Sequence, residues 1–162
     1  MKRFPIEVHL TEFISNGTFG FLKTGMTKEE IEAQFFPPEG WIEGKSKETS
    51  LVWRYGNFEL HFDEDKLVRI FNDYIDDLDG GESIRLLDPW ILAKGFKPAL
   101  AEVMRNLNSL NLDFARIWNP ADFITLTIRN SKVHLSFHKP DSEDPDMKVD
   151  FNEYQLENIY KS

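Results

Sequence analysis

Leu51-Val-Trp-Arg-Tyr-Gly-Asn-Phe-Glu-Leu-His-Phe62 decides how this chain is read, because its pattern occurs again as Leu126-Thr-Ile-Arg-Asn-Ser-Lys-Val-His-Leu-Ser-Phe137, at a constant offset of 75 from Leu51 to Leu126. The apolar positions coincide: Leu51 with Leu126, Trp53 with Ile128, Phe58 with Val133, Leu60 with Leu135 and Phe62 with Phe137. In both copies two alternating runs flank a short turn, Tyr55-Gly-Asn57 in the first and Asn130-Ser-Lys132 in the second, the pattern of an antiparallel hairpin. A period of two sends Glu59, His61, His134 and Ser136 to the opposite, wetter face.

Outward from the hairpins, each copy is followed by a third segment, Leu67-Val-Arg-Ile-Phe-Asn-Asp-Tyr74 and Met147-Lys-Val-Asp-Phe-Asn-Glu-Tyr154, now offset by 80 from Leu67 to Met147. The longer spacing falls on Lys139-Pro-Asp-Ser-Glu-Asp-Pro-Asp146, whose prolines and acids predict an exposed loop. Upstream of the first hairpin, Thr27-Lys-Glu-Glu30 reads as a helix cap and capping box, and Pro37-Pro38 stops that helix. Upstream of the second, Lys97-Pro98 opens a longer helix with Leu100, Val103, Met104, Leu107 and Leu110 on one face. The chain therefore reads as α+β, two tandem α-β-β-β units with helices packed on one face of antiparallel sheet. We place the first over 1–81 and the second over 82–162, with the polar, glycine-containing Asp76 to Glu82 as the joint. Ser83 to Trp90 is either a short helix or a connector, and Ile6, Val8 and Leu10 predict an extra strand paired with the first sheet. A unit of roughly 70 residues is near the lower limit for independent stability, so the halves are expected to share a core or a sheet.

The 162 residues are 41 % hydrophobic and 14 % aromatic, enough for a core. Against 19 Lys and Arg stand 28 Asp and Glu, a net charge of −9 that repels a nucleic-acid backbone. The absence of cysteine removes disulfides, thiol catalysis and thiolate metal sites. Pro5, Glu7 and His9 interrupt any apolar leader and no run approaches the ~18 apolar residues of a membrane span, so a soluble, cytoplasmic protein without membrane partners is expected.

Chemical motifs are scarce. There is no Gly-x-Ser-x-Gly elbow, and Gly17-Thr-Phe-Gly20 and Gly80-Gly81 lack the pattern of phosphate-binding loops. The four histidines, His9, His61, His134 and His138, are not duplicated by the repeat, and Asp77-x-Asp79-Gly80 carries only part of a calcium loop. No catalytic residue, metal or cofactor is assigned.

The helix start Gly25-Met-Thr-Lys-Glu-Glu-Ile31, followed by Trp53-Arg-Tyr-Gly56 and Phe58-Glu-Leu-His-Phe62, resembles the opening of many small bacterial α+β proteins. Two such units in tandem resemble the arrangement of the beta-lactamase inhibitor protein, without its disulfides. The acidic, cysteine-free chain is also similar to immunity proteins encoded beside polymorphic and contact-dependent growth inhibition toxins. That resemblance implies a cytoplasmic immunity protein that binds and neutralises a cognate toxin, and charge adds that an acidic surface associates quickly with a basic toxin domain such as a nuclease. The candidate contacts are the turn acids Asp63, Glu64, Asp65, Asp76, Asp77, Asp79, Glu143 and Asp144, with Trp41 and Trp118 as aromatic anchors. The alternatives are a small-ligand or enzymatic module in which two sheets enclose a pocket near Trp53, Tyr55, His61 and His134 with Glu59, and a housekeeping domain of unknown partner.

Overall fold

The fold is known from a computed structural model that describes residues 3–119, 122–144 and 146–162. Pro120, beside Trp118, and Pro145 of the acidic loop lie outside the described residues, as do Met1 and Lys2. The mixed α+β class expected from the sequence is present. In chain order the elements are β1 (Ile6–His9), α1 (Leu10–Asn16), α2 (Lys28–Gln34), β2 (Gly40–Ile42), β3 (Val52–Tyr55), β4 (Phe58–Asp63), β5 (Lys66–Asn72), β6 (Ile84–Asp88), α3 (Leu100–Ser109), β7 (Phe114–Asn119), β8 (Phe123–Ile128), β9 (Val133–His138), a 3-10 turn (Phe151–Glu153) and β10 (Gln155–Lys161).

Local chemistry accounts for the boundaries. The Thr27 backbone N–H donates to the Glu30 carboxylate at 2.8 Å while the Glu30 N–H donates to the Thr27 hydroxyl at 3.2 Å, so the capping box starts α2 where the sequence places it. Pro37 and Pro38 follow and deny the chain further helical donors. Helix α1 ends at Gly17, which takes the left-handed conformation at φ 81 and donates to the Phe13 carbonyl. Helix α3 begins at Leu100 and buries Leu100, Val103 and Leu107.

Both hairpins lie in one eight-stranded sheet of order β2-β3-β4-β5-β10-β9-β8-β7, antiparallel throughout. The strands β3, β4 and β5 fill one half in the same sequence in which β8, β9 and β10 fill the other, and β5 meets β10 at the centre. One apolar cluster draws on both halves. The sheet contributes Trp53, Tyr55, Leu60, Phe62, Ile70, Leu126, Leu135, Phe137 and Ile159, α1 contributes Phe13 and Ile14, α2 Ile31, and α3 Val103 and Leu107. All three helices therefore press on the same side of the sheet.

Three expectations need correction. The third strand of the second half is not Met147 to Tyr154 but β10, which starts after the Phe-Asn-Glu-Tyr similarity ends. The register sets Leu60 opposite Ile70 and Leu135 opposite Ile159. Ile6 and Val8 do not extend the large sheet; β1 pairs in parallel with β6, making a separate two-stranded sheet, and Leu10 already belongs to α1. Ser83 to Trp90 is neither a helix nor a bare connector, since it holds β6. Asp76 to Glu82, expected as the joint between the halves, is tied to the first hairpin. The Asn57 N–H donates to the Asp79 carbonyl at 2.8 Å, Asn57 Nδ2 donates to the Asp77 carbonyl at 2.7 Å, and the Glu39 carboxylate accepts from Gly56 N and Glu82 N at 2.6 and 2.7 Å. The Asn57 and Glu39 side chains and the Asn57 backbone here satisfy groups that an unattached linker would leave to water.

Candidate functional site

The side of the eight-stranded sheet away from the helices carries a continuous row of side chains. Registers link Arg54 to Glu59, Glu59 to Phe71, Phe71 to Tyr160, Tyr160 to His134, His134 to Thr127 and Thr127 to Ala115. Residues directly opposite in a sheet share a face, so this row runs from β3 to β7 over six inter-strand steps, about 29 Å at ~4.8 Å per step. Its aromatic members Phe71 and Tyr160 stand outside the apolar core.

Within the row each group is positioned by its neighbours. The His61 Nε2 lies 2.8 Å from the Glu59 carboxylate, whose other oxygen is 4.0 Å from Arg54 Nε. His61 packs on Phe71 at 5.4 Å between ring centroids, His134 stacks on Tyr160 at 4.7 Å, and the Arg69 guanidinium sits 4.8 Å from the centre of the Tyr160 ring. Tyr160 is thus held between a cation and an imidazole, an arrangement its π face favours. His134 Nδ1 shares a 2.9 Å hydrogen bond with the Thr127 hydroxyl. At one end of the face, a shallow cavity of about 330 Å³ is bordered by Phe71, Lys97, Phe123, His138, Glu157 and Asn158. There Lys97 pairs with Glu157 at 3.0 Å, and this carboxylate raises the Lys97 pKa.

Partial burial, reinforced by the positive charge of Arg69, holds the pKa of His134 below the ordinary imidazole value. The unfolded chain takes up that proton first. The stabilisation from a neutral His134 is therefore full above about pH 6.5 and is lost as pH falls through the lowered folded value. We expect wild-type protein to lose more unfolding free energy than His134→Gln between neutral and mildly acid pH, measured by urea titration; parallel curves would refute the linkage.

The acids expected to form the binding surface divide between the two ends of the large sheet. Glu64 and Asp65 form the β4–β5 turn, both at positive φ (46 and 68), with Asp63 at the end of β4. Asp76, Asp77 and Asp79 follow the other end of β5, a seven-residue strand about 23 Å long. Asp79 Oδ1 accepts from Gly81 N at 2.8 Å, and Asp77 lies 4.0 Å from Lys94. Exposed Glu143 and Asp144 lie in the loop after β9, at the end of the sheet where β5 also finishes. Trp41 and Trp118 are 46 % and 47 % exposed, but they occupy the opposite edge strands, β2 and β7, and lie on the helix side of the sheet. The enclosed pocket also needs correction. There is one large sheet rather than two facing each other, and Trp53 and Tyr55 point into the core while Glu59, His61 and His134 point the other way.

Sequence reasoning missed Arg69, Phe71 and Tyr160, which lie among those histidines. Their signal was the alternation of β5 and β10, obscured in β10 by a register irregularity between Leu156 and Asn158 that places buried Leu156 and Ile159 three apart. Among the described residues no group of three or more His, Asp or Glu is placed to hold a metal, and no helix is long and apolar enough to cross a membrane. Comparison of the chain with family models, with curated proteins and with solved structures finds no match.

Proposed function

We propose that the chain is a protein-binding protein without catalysis of its own, a cytoplasmic immunity protein that neutralises a cognate bacterial toxin through the uncovered face of its large sheet. The observation that supports this is the Arg69, Tyr160 and His134 stack at the middle of that face, cross-braced by sheet neighbours rather than by a lid. Tyr and Arg at the centre of a rigid surface are what interface hot spots are made of, because little side-chain entropy remains to be lost on binding. The acid excess adds steering: Asp63, Glu64 and Asp65 at one end of the sheet and Asp76, Asp77, Asp79, Glu143 and Asp144 at the other attract a basic toxin domain before it docks. The same reading takes α2 with β3, β4 and β5, and α3 with β8, β9 and β10, as two copies of one unit.

Co-purification of the tagged chain, expressed with the adjacent reading frame intact, tests the proposal. A stoichiometric basic partner whose capture weakens with salt is expected. Tyr160→Ala and Arg69→Ala should each weaken that complex about 30-fold or more, as losing a hot spot of about 2 kcal/mol does. Charge reversal of the turn acids should instead slow association. A complex indifferent to both sets of changes refutes the assignment of the surface. A small-ligand reading no longer rests on the pocket expected near Trp53, Tyr55, His61 and His134; it draws instead on the cavity beside Lys97 and His138, where Asn158 Oδ1 is buried without a hydrogen-bond partner among the described residues. It expects a small molecule carried through the same purification.

A further inference from the structure

The two edges of the eight-stranded sheet are protected very differently. Strand β2 has only three residues, Gly40–Ile42, too short to template a neighbour. Strand β7 has six, Phe114-Ala-Arg-Ile-Trp-Asn119, in unbroken register with β8. It contains no proline, bulge, lysine or acid, the devices that normally blunt an edge, and Ile117 and Trp118 are 53 % and 47 % exposed.

Its backbone groups can be assigned a direction. Arg129 N donates to the Asp113 carbonyl at 2.9 Å, and the register that sets Phe114 opposite Ile128 sets Asp113 opposite Arg129. Hydrogen-bonded pairs alternate along an antiparallel ladder. Ala115, Ile117 and Asn119 therefore turn their N–H and C=O groups toward β8, while Phe114, Arg116 and Trp118 turn theirs outward.

We propose that β7 is a self-association edge, on which a second copy of this chain adds its own β7 antiparallel about a twofold axis at Ile117, joining two sheets into one of sixteen strands. That centre satisfies the outward groups and opposes unlike side chains. It makes Arg116 and Trp118 of the two copies hydrogen-bonded partners, so outward donors meet outward acceptors, and it sets Ile117 against Ile117 as an apolar pair. Arg116 and Trp118 share the helix side of the sheet, so each guanidinium comes to lie against the other copy's indole, twice over. A centre at Arg116 would oppose two guanidinium groups, and one at Trp118 would leave Arg116 beyond the end of the partner strand. The indole is already positioned for this contact, since Phe151 and Tyr154 hold it edge-on at 4.4 and 6.4 Å while about half of it stays exposed. Arg116 is also the only charged residue of β7 in a chain of net charge −9, so the edge does not share the repulsion that keeps other surfaces apart.

Sedimentation and native mass spectrometry at micromolar concentrations should find two copies. Arg116→Pro deletes an outward N–H together with the guanidinium and leaves the bonds to β8, and Ile117→Lys places a charge at the axis; each should weaken self-association at least about tenfold while far-ultraviolet circular dichroism and thermal unfolding of the single copy hold. Because the chain has no cysteine, geometry can be read directly. Ile117→Cys should form an intermolecular disulfide under mild oxidation, the opposed Cα atoms being about 4.5 Å apart, whereas Ala115→Cys, about 14 Å from its counterpart, should not. A protein that stays a single copy, a pair indifferent to Ile117→Lys, or equal cross-linking at 115 and 117 would each overturn the proposal.

Discussion

Trp53→Ala is expected to lower the unfolding free energy by about 4 kcal/mol and the melting temperature by about 10 °C. The ring is fully buried, packs on Phe62 at 4.8 Å between centroids, and donates from Nε1 to the Lys47 carbonyl at 2.8 Å. It also forms part of an unusual environment for a cation. The Lys28 ammonium lies 5.6 Å from the Trp53 ring and 5.1 Å from the Phe62 ring while donating to the Glu48 and Ser50 carbonyls at 3.0 and 2.7 Å. Truncation to alanine therefore opens a cavity, orphans a carbonyl and removes one aromatic wall from a nearly buried charge, three costs that act together. Trp53→Phe keeps most of the volume and loses the Nε1 donor, so about 1–2 kcal/mol is expected from it. Equilibrium denaturation of the two variants separates these terms, and equal losses would mean that the hydrogen bond to Lys47 rather than ring volume dominates.

Gly56→Ala should cost about 3 kcal/mol or more, a large effect for one methyl group. Gly56 has φ 57, in the left-handed region, and a Cβ built there overlaps the Asp79 carbonyl oxygen and the Gly81 nitrogen. Those are backbone atoms that cannot rotate away. They belong to the strap that Asn57 and Glu39 tie to the hairpin, and its displacement would break the bond from Asn57 N to Asp79 O and put the Glu39 contacts at risk. Gly25→Ala is the control, since Gly25 also has positive φ (93) but a Cβ added there would meet nothing within 4 Å. Only backbone strain of about 1 kcal/mol is expected there. Faster proteolysis of residues 76–82 in Gly56→Ala alone would locate the damage. If the two variants were equally destabilised, the strap would not be clamped as described.

The parts of the fold that were legible in the sequence are those written in short-range periodicity. The hairpins β3–β4 and β8–β9 were plain because apolar residues alternate around turns, and α2 because Thr27 and Glu30 cap it. The third strand of the second half was misplaced because four similar residues, Phe-Asn-Asp-Tyr and Phe-Asn-Glu-Tyr, outweighed the alternation of β10, which its irregular register disguises. The parallel pairing of β1 with β6 spans residues 6 to 88, and no local pattern names so distant a partner. For the candidate face, period two sends Glu59, His61, His134 and Ser136 to the side opposite the core, but Ser136 is buried there rather than wet, packed beside the Thr125 hydroxyl at 3.2 Å. Arg69 and Tyr160 were not associated with them, because it is the β5–β10 pairing, a tertiary event, that sets the two hairpins edge to edge. Aromatic residues near glycine or proline also gave no sign of which edge they occupied, and Trp41 and Trp118 lie on opposite ones.

That central pairing also governs the timing of folding. A chain made from its N-terminus has β5 long before residues 155–161 emerge to cover it, so in the interval β5 is an open edge. Closure of so long a loop is an entropic barrier met before any reward, which predicts slow, non-local folding. The turn Glu64-Asp65 and Lys66 at the start of β5 place charges beside that temporary edge, where they discourage a neighbouring nascent chain from pairing first.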